Sequence, residues 1–214
     1  MFDKYKGIIF DLDGTLIDSL DLWSEIDKAF FKKRNIVIDR DLYPEVKGKS
    51  YTETVRYLKK TFNLEESIKQ LKKERNLLAE KFYKKVKLKK DVLKVLKYFK
   101  KNNKKIGIAT SNSRHLANTA LKNLEIKKYF TVLVTSCDVK KGKPSPDVFL
   151  KAAKELKIAP SECLAFEDSI DGIKAANSAN IDVIAVYDKK QKKYEKELKK
   201  LSNYYIYNYA KLIK

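Results

Sequence analysis

Histidine is almost missing from this chain of 214 residues, with His115 alone, and cysteine is limited to Cys137 and Cys163. Such a set cannot supply a disulfide framework or a four-ligand zinc site, and a reducing, cytoplasmic setting is the expectation. Nowhere do about 18 apolar residues run together, and the apolar run Gly7 to Phe10 is too brief for the hydrophobic region of a signal peptide. Neither a membrane span nor Sec export is expected. Arginine is scarce as well. Only Arg34, Arg40, Arg56, Arg75 and Arg114 stand among 48 basic residues, although the formal net charge is +20. Proteins that read bases and phosphates favour arginine for its bidentate fork. The lysines come instead in pairs such as Lys32-Lys33, Lys59-Lys60, Lys72-Lys73 and Lys199-Lys200, interleaved with apolar positions, which is the pattern of solvated helix faces. No nucleic-acid ligand is expected, and a polyanion-binding surface is kept as the non-enzyme alternative.

The length fits one domain, or one domain with a modest insertion. With 43% hydrophobic and 11% aromatic residues the chain can bury a sizeable core. No internal repeat or low-complexity linker interrupts it, and no oligomerisation signal stands out, so a monomer is expected. Lys6 to Phe10 reads as a buried strand. From about Asp18 to Val86 no strand pattern is found. Asp18 or Ser19 can cap a helix to about Lys33, Ser50 or Thr52 another to Lys60, and Glu65 to Val86 carries Leu71, Leu77, Leu78 and Phe82 at helical spacing. Strands and helices then alternate strictly. Helices are expected at 91–101, 115–123, 147–156 and 170–179, strands at 105–110, 132–135, 163–166 and 182–186, and an edge strand within 202–210. This repetition builds an α/β fold, a doubly wound parallel sheet with helices on both faces and an inserted helical cap.

Ligands of such sheets bind beyond the carboxyl ends of the strands. There the sequence has Asp11-Leu12-Asp13-Gly14-Thr15-Leu16, then Thr110-Ser111-Asn112, Lys143-Pro144 and Glu167-Asp168-Ser169. Carboxylates brought this close repel one another unless a cation sits among them, and oxygen-only ligands point to a hard ion, Mg²⁺. A metal, a lysine and hydroxyls around a nucleophile suit phosphoryl transfer.

These motifs together resemble the haloacid dehalogenase superfamily, in particular its phosphatases and β-phosphoglucomutase-like members with a small helical cap. The resemblance covers nearly the whole chain. It implies a Rossmann-like catalytic core of residues 1–16 and 87–214 and a cap of residues 17–86. It also implies Asp11 as the nucleophile that forms an aspartyl-phosphate, needing no activating base because a carboxylate is ionised at neutral pH. Asp13 is implied as general acid and base, with its backbone carbonyl toward the metal. Thr110 and Ser111 are the implied phosphate binders and Lys143 the residue that neutralises phosphoryl group and nucleophile. Asp168 is the implied direct ligand of Mg²⁺, and Glu167 a further ligand or its supporting partner.

The cap is where leaving-group contacts are expected, since its closure expels water. Lys47, Gly48 and Lys49 sit at the place of the family's specificity loop, and Trp23 can border the substrate. Relatives with mutase activity carry a histidine and an arginine where this chain has Trp23 and Tyr51, and Lys89-Lys90 stands where relatives often have Pro-Gly. The expected activity is therefore hydrolysis of small phosphorylated metabolites such as sugar phosphates, with a phosphosugar mutase as the alternative enzyme. Asp18 is expected as a helix cap, Thr110 as a cap in addition to any phosphate role, His115 as a surface residue, and Tyr204, Tyr205, Tyr207 and Tyr209 as edge-strand alternation.

Overall fold

The computed structural model of the protein describes residues 2–38, 41–46 and 49–213. Its central sheet has six strands, all parallel: β1 (Gly7–Phe10), β4 (Lys105–Thr110), β5 (Val132–Thr135), β6 (Cys163–Glu167), β7 (Asp182–Val186) and β8 (Tyr204–Ile206). Their order across the sheet is β5-β4-β1-β6-β7-β8. The chain runs outward from β1 through β4 to β5 on one side and from β6 through β7 to β8 on the other, so the connections beyond the carboxyl ends of the neighbours β1 and β6 leave in opposite directions. That is the switch point where such sheets open a crevice.

Strand β1 is buried on both faces because side chains alternate across a sheet. Ile8 and Phe10 join the core beneath α5 (Val92–Lys101) and α6 (Arg114–Asn123), whereas Ile9 joins the core beneath α7 (Asp147–Leu156), α8 (Ile170–Ser178) and α9 (Glu195–Leu201). Phe10 stacks on Phe166 with ring centres 4.6 Å apart, which locks β1 beside β6. The α/β expectation is met.

Between β1 and α5 lie two two-residue strands, β2 (Ile17–Asp18) and β3 (Lys87–Leu88), paired antiparallel. They flank α1 (Leu20–Lys32), α2 (Tyr43–Val46), α3 (Tyr51–Thr61) and α4 (Ile68–Tyr83). The helices enclose their own apolar cluster around Phe30, Phe31, Val55, Leu58 and Leu71. Helices α3 and α4 each open on a capping box, through Ser50 with Glu53 and Ser67 with Gln70.

Four readings are corrected here. Asp18 caps nothing: it is an exposed residue of β2, in a stretch read as strand-free because a two-residue ladder leaves no periodicity. The cap position of α1 falls to Ser19, whose side chain makes no capping bond. In α4 the buried stripe is Leu71, Arg75, Ala79 and Tyr83, while Leu77 is exposed. A stripe bearing an arginine and a tyrosine does not read as apolar. Finally β8 is only three residues long, and Tyr209 is a core side chain stacked on Phe166 that donates to the Thr15 carbonyl at 3.1 Å.

Candidate active site

The segment after β1 turns sharply at Gly14, whose φ of +82° is open to glycine at little cost. A Cβ there would lie 2.6 Å from Asp168 Oδ2, so the turn also lets the β1 and β6 ends approach closely. Asp11, Thr110, Lys143, Glu167 and Asp168 are all buried there and line one cavity of about 140 Å³. Asp13 and Ser111 line it too. The sequence motifs thus converge as read.

Lys143 Nζ donates to Asp11 Oδ1 at 2.6 Å and to Glu167 Oε1. Burial alone would lower the Lys143 ammonium, but Asp11 and Glu167 more than offset this and its pKa is raised. The second oxygen of Glu167 accepts from the Asp168 and Ser169 amides and from Ser169 Oγ at 2.9–3.1 Å. Gly172 makes room for this carboxylate, since a Cβ at that position would stand 1.9 Å from Glu167 Cδ. Asp168 accepts from Thr15 Oγ1 at 3.0 Å and from Gln191 Nε2 at 3.3 Å.

Oxygens of Asp11, Glu167 and Asp168 lie within 4.8 Å of one another. Three carboxylates against the one ammonium of Lys143 leave two negative charges uncompensated in a buried site. The strain is visible in the acidities. Burial, reinforced by the neighbouring carboxylates, holds Asp11 well above the ordinary carboxylate range despite Lys143 and pushes Asp168 up to about 7. A small divalent cation with oxygen ligands removes that excess, so this donor set fits Mg²⁺. The Asp13 carboxylate stands apart from the cluster.

Asp13 is instead caged by neutral donors. Ser19 Oγ and Tyr83 Oη donate to Oδ1, the former at 2.6 Å, and Asn112 Nδ2 donates to Oδ2 at 2.7 Å. Burial raises its pKa, with those donors only partly opposing. The sequence marks neither Tyr83 nor Asn112 for a role and Ser19 only for that of a helix cap, although Asn112 belongs to the Thr110-Ser111-Asn112 triplet. Thr110 does not cap α6; Ser113 does, and Thr110 Oγ1 accepts from the Asn112 amide at 3.1 Å.

The helices of residues 20–83 close over this floor. The Tyr51 amide donates to the Ser111 carbonyl at 3.1 Å, and Ser113 Oγ donates to Asn76 at 2.9 Å. Lys190, beyond β7, reaches Asp41 at 2.8 Å. Exposed His115 meets Glu80 of α4 at 3.1 Å. Trp23, Tyr51 and Lys49 line the cavity from above, with Lys49 at its exposed rim over the Tyr57 ring. Lys47 and Gly48 fall outside the described residues. Among the described residues no helix is long and apolar enough to cross a membrane.

The sequence profile of the haloacid dehalogenase-like hydrolases matches residues 8–186. A phosphorylated carbohydrates phosphatase of Thermotoga maritima is 30% identical over 181 residues, 84% of this chain and 83% of that protein. A β-phosphoglucomutase of Bacillus subtilis is 32% identical over 194 residues, 85% of this chain and 83% of its own length. Among solved structures, a β-phosphoglucomutase from Clostridium difficile superposes with a TM-score of 0.83 at 27% identity, covering 98% of this chain and 93% of that one. The chain belongs to the haloacid dehalogenase-like hydrolases, and these relatives place it among the family's phosphatase-like and β-phosphoglucomutase-like enzymes.

Proposed function

We propose that the protein is a Mg²⁺-dependent phosphatase that hydrolyses small phosphomonoesters, sugar phosphates in particular, through an aspartyl-phosphate on Asp11. In this reading residues 1–16 and 87–214 form the catalytic core, and residues 17–86 the cap that closes over it. The observation that carries the reading is the contrast between two carboxylates two positions apart: Asp11 touches the buried Lys143 ammonium, whereas Asp13 touches only neutral donors.

A nucleophile must be ionised and an acid must hold a proton, and partners of opposite kind divide those roles. Held against Lys143, Asp11 attacks phosphorus through the oxygen that the lysine does not occupy. The bond to the leaving oxygen breaks, and Asp13, whose pKa burial raises, gives a proton in its acid form to the departing alkoxide. Asp13 then accepts a proton from the water that attacks the aspartyl-phosphate, which frees inorganic phosphate and restores both carboxyls. The caging by Ser19, Tyr83 and Asn112 aims the Asp13 carboxyl and keeps it from the metal cluster. Thr110 and the backbone at Ser111 line the wall where phosphoryl oxygens would lie, and Lys143 neutralises charge on them. When bound by Asp11, Asp168 and the supporting Glu167, with the Asp13 carbonyl, Mg²⁺ supplies further neutralisation of the phosphoryl oxygens.

The test is phosphate release from a panel of phosphorylated metabolites with Mg²⁺; release from none of them overturns the reading. Likeness to solved β-phosphoglucomutase favours mutase chemistry as the second reading. A coupled assay started from β-glucose 1-phosphate separates the two: hydrolysis predicts phosphate release outrunning glucose 6-phosphate formation, and the reverse order establishes the mutase.

A further inference from the structure

Roofing the cavity is an ion pair that the phosphoryl chemistry does not use. Arg75 of α4 is 1% exposed and donates through Nη2 to Asp27 of α1, itself 6% exposed; both side chains line the cavity. Of the other guanidinium nitrogens, Nε and Nη1 are buried without a hydrogen-bond partner. Aromatic rings surround the guanidinium, with Trp23 at 5.3 Å, Phe30 at 5.8 Å and Tyr51 at 6.0 Å. Buried donors without acceptors are costly, and a guanidinium is sequestered this way where something else completes its bonding. Burial raises the pKa of Asp27, and Arg75 beside it opposes that rise in part.

The pair is electrically balanced, so it does not call for a second anion. Asp41, further along the roof, is met by Lys190 at 2.8 Å, and Lys49 stays at the exposed rim. What the pair offers is a row of N–H donors beside a carboxylate acceptor, framed by aromatic surface. A group that presents an acceptor and a donor side by side, on a body with apolar C–H faces, is a neutral polyol with vicinal hydroxyls.

We infer that Arg75 and Asp27 form the leaving-group subsite, which selects phosphomonoesters of neutral polyhydroxylated alcohols by pairing the free Arg75 N–H groups and the Asp27 carboxylate with adjacent hydroxyls. This assignment rests on the phosphatase reading and names its specificity. Trp23 and Tyr51 supply the flat walls, and the hydroxyls supply the acceptors that Nε and Nη1 lack.

The experiment compares kcat/KM for glucose 6-phosphate with that for ethyl phosphate, which has the same phosphoryl group and no hydroxyls. Removing one partner alone strands a buried charge and endangers folding, whereas replacing both with apolar residues of similar size is tolerated in other buried pairs. The double variant Asp27→Leu with Arg75→Met is therefore the principal probe, and Arg75→Lys is the conservative one. Wild type is expected to prefer the sugar phosphate by about tenfold or more, as loss of a hydrogen bond to a charged group would imply. The double variant should bring that ratio down by about tenfold, chiefly through KM, and Arg75→Lys should recover part of it. A ratio in the double variant within about threefold of wild type overturns the inference, as does a wild type that prefers the sugar bisphosphate over the monophosphate by about tenfold. Failure of the underlying phosphatase reading looks different, because wild type then releases phosphate from no member of the phosphorylated-metabolite panel.

Discussion

On the floor of the cavity the Glu167 carboxylate accepts from four donors and Asp13 from three. In the roof the Arg75 guanidinium has one carboxylate and two buried nitrogens without a partner. A floor fixed by its own hydrogen bonds costs nothing to reorganise when charge develops on phosphorus, which is how oriented dipoles lower barriers. An incompletely bonded roof is completed by the substrate. Changes to the floor should therefore reduce turnover for every substrate, and changes to the roof should alter which substrate is preferred.

The largest effect is expected at the nucleophile. Asp11→Asn keeps the shape and removes the attacking charge, so turnover should fall on the order of a thousandfold or more in a phosphate-release assay. A loss of no more than about tenfold, roughly 1.4 kcal/mol, would mean that Asp11 is not the nucleophile. Metal removal comes next. Exhaustive chelation should lower activity on the order of a hundredfold, Mg²⁺ should restore it, and Ca²⁺ should inhibit because its larger, looser coordination misplaces the carboxylates. Full activity after chelation contradicts the cluster's assignment.

Structural support of the floor can be broken separately. Gly172→Ala forces a methyl group into the Glu167 carboxylate, so the urea midpoint should drop by the equivalent of about 1–3 kcal/mol, with activity falling alongside it. Unchanged stability would show that Glu167 moves aside freely, against a floor held rigid by its bonds.

The acid cluster also gives the metal-free protein a pH signature. Asp168 has a folded-state pKa of about 7, above its ordinary value of 3.8. The folded state therefore binds the proton more tightly than the unfolded state across that interval, and the contribution of this group to stability is full at the low-pH end and lost as pH rises through about 7. Thermal melts of the chelated protein should show Mg²⁺ raising Tm more at about pH 8 than at about pH 5, as expected when a cation replaces the lost proton. An equal rise at both values would contradict the linkage. The smallest effect belongs to the clasp of roof on floor. Lys190→Ala removes a partly exposed pair with Asp41 and should change KM by no more than about 1 kcal/mol, a few-fold.

The floor was legible in the sequence for a physical reason that does not extend to the roof. Asp11, Lys143, Glu167 and Asp168 stand immediately beyond strands or in short motifs, and a parallel sheet brings its strand ends together whatever lies between them. Apolar β runs alternating with helical periodicity marked those ends. The cage around Asp13 was harder to see: Tyr83 comes from the last turn of α4, 70 positions away, and Ser19 looked like a helix cap. Gln191 reaches Asp168 from a turn beyond β7 that carries no motif. Arg75 escaped because an arginine in a lysine-rich helix reads as surface, and nothing local reveals that its partner Asp27 lies on the same buried side of α1. The two-residue strands β2 and β3 were missed because pairing so short has no repeat to detect.

The claim on which the division between floor and roof depends is that Asp11 becomes phosphorylated in turnover. Rapid mixing of the Mg²⁺-loaded enzyme with excess substrate, acid quenching and peptide mass spectrometry tests it directly. The account predicts a phosphoryl adduct on the peptide that contains Asp11, formed at least as fast as steady-state turnover and missing from Asp11→Asn. Phosphate release that proceeds with no adduct at any time point, or with the adduct on another residue, would contradict it.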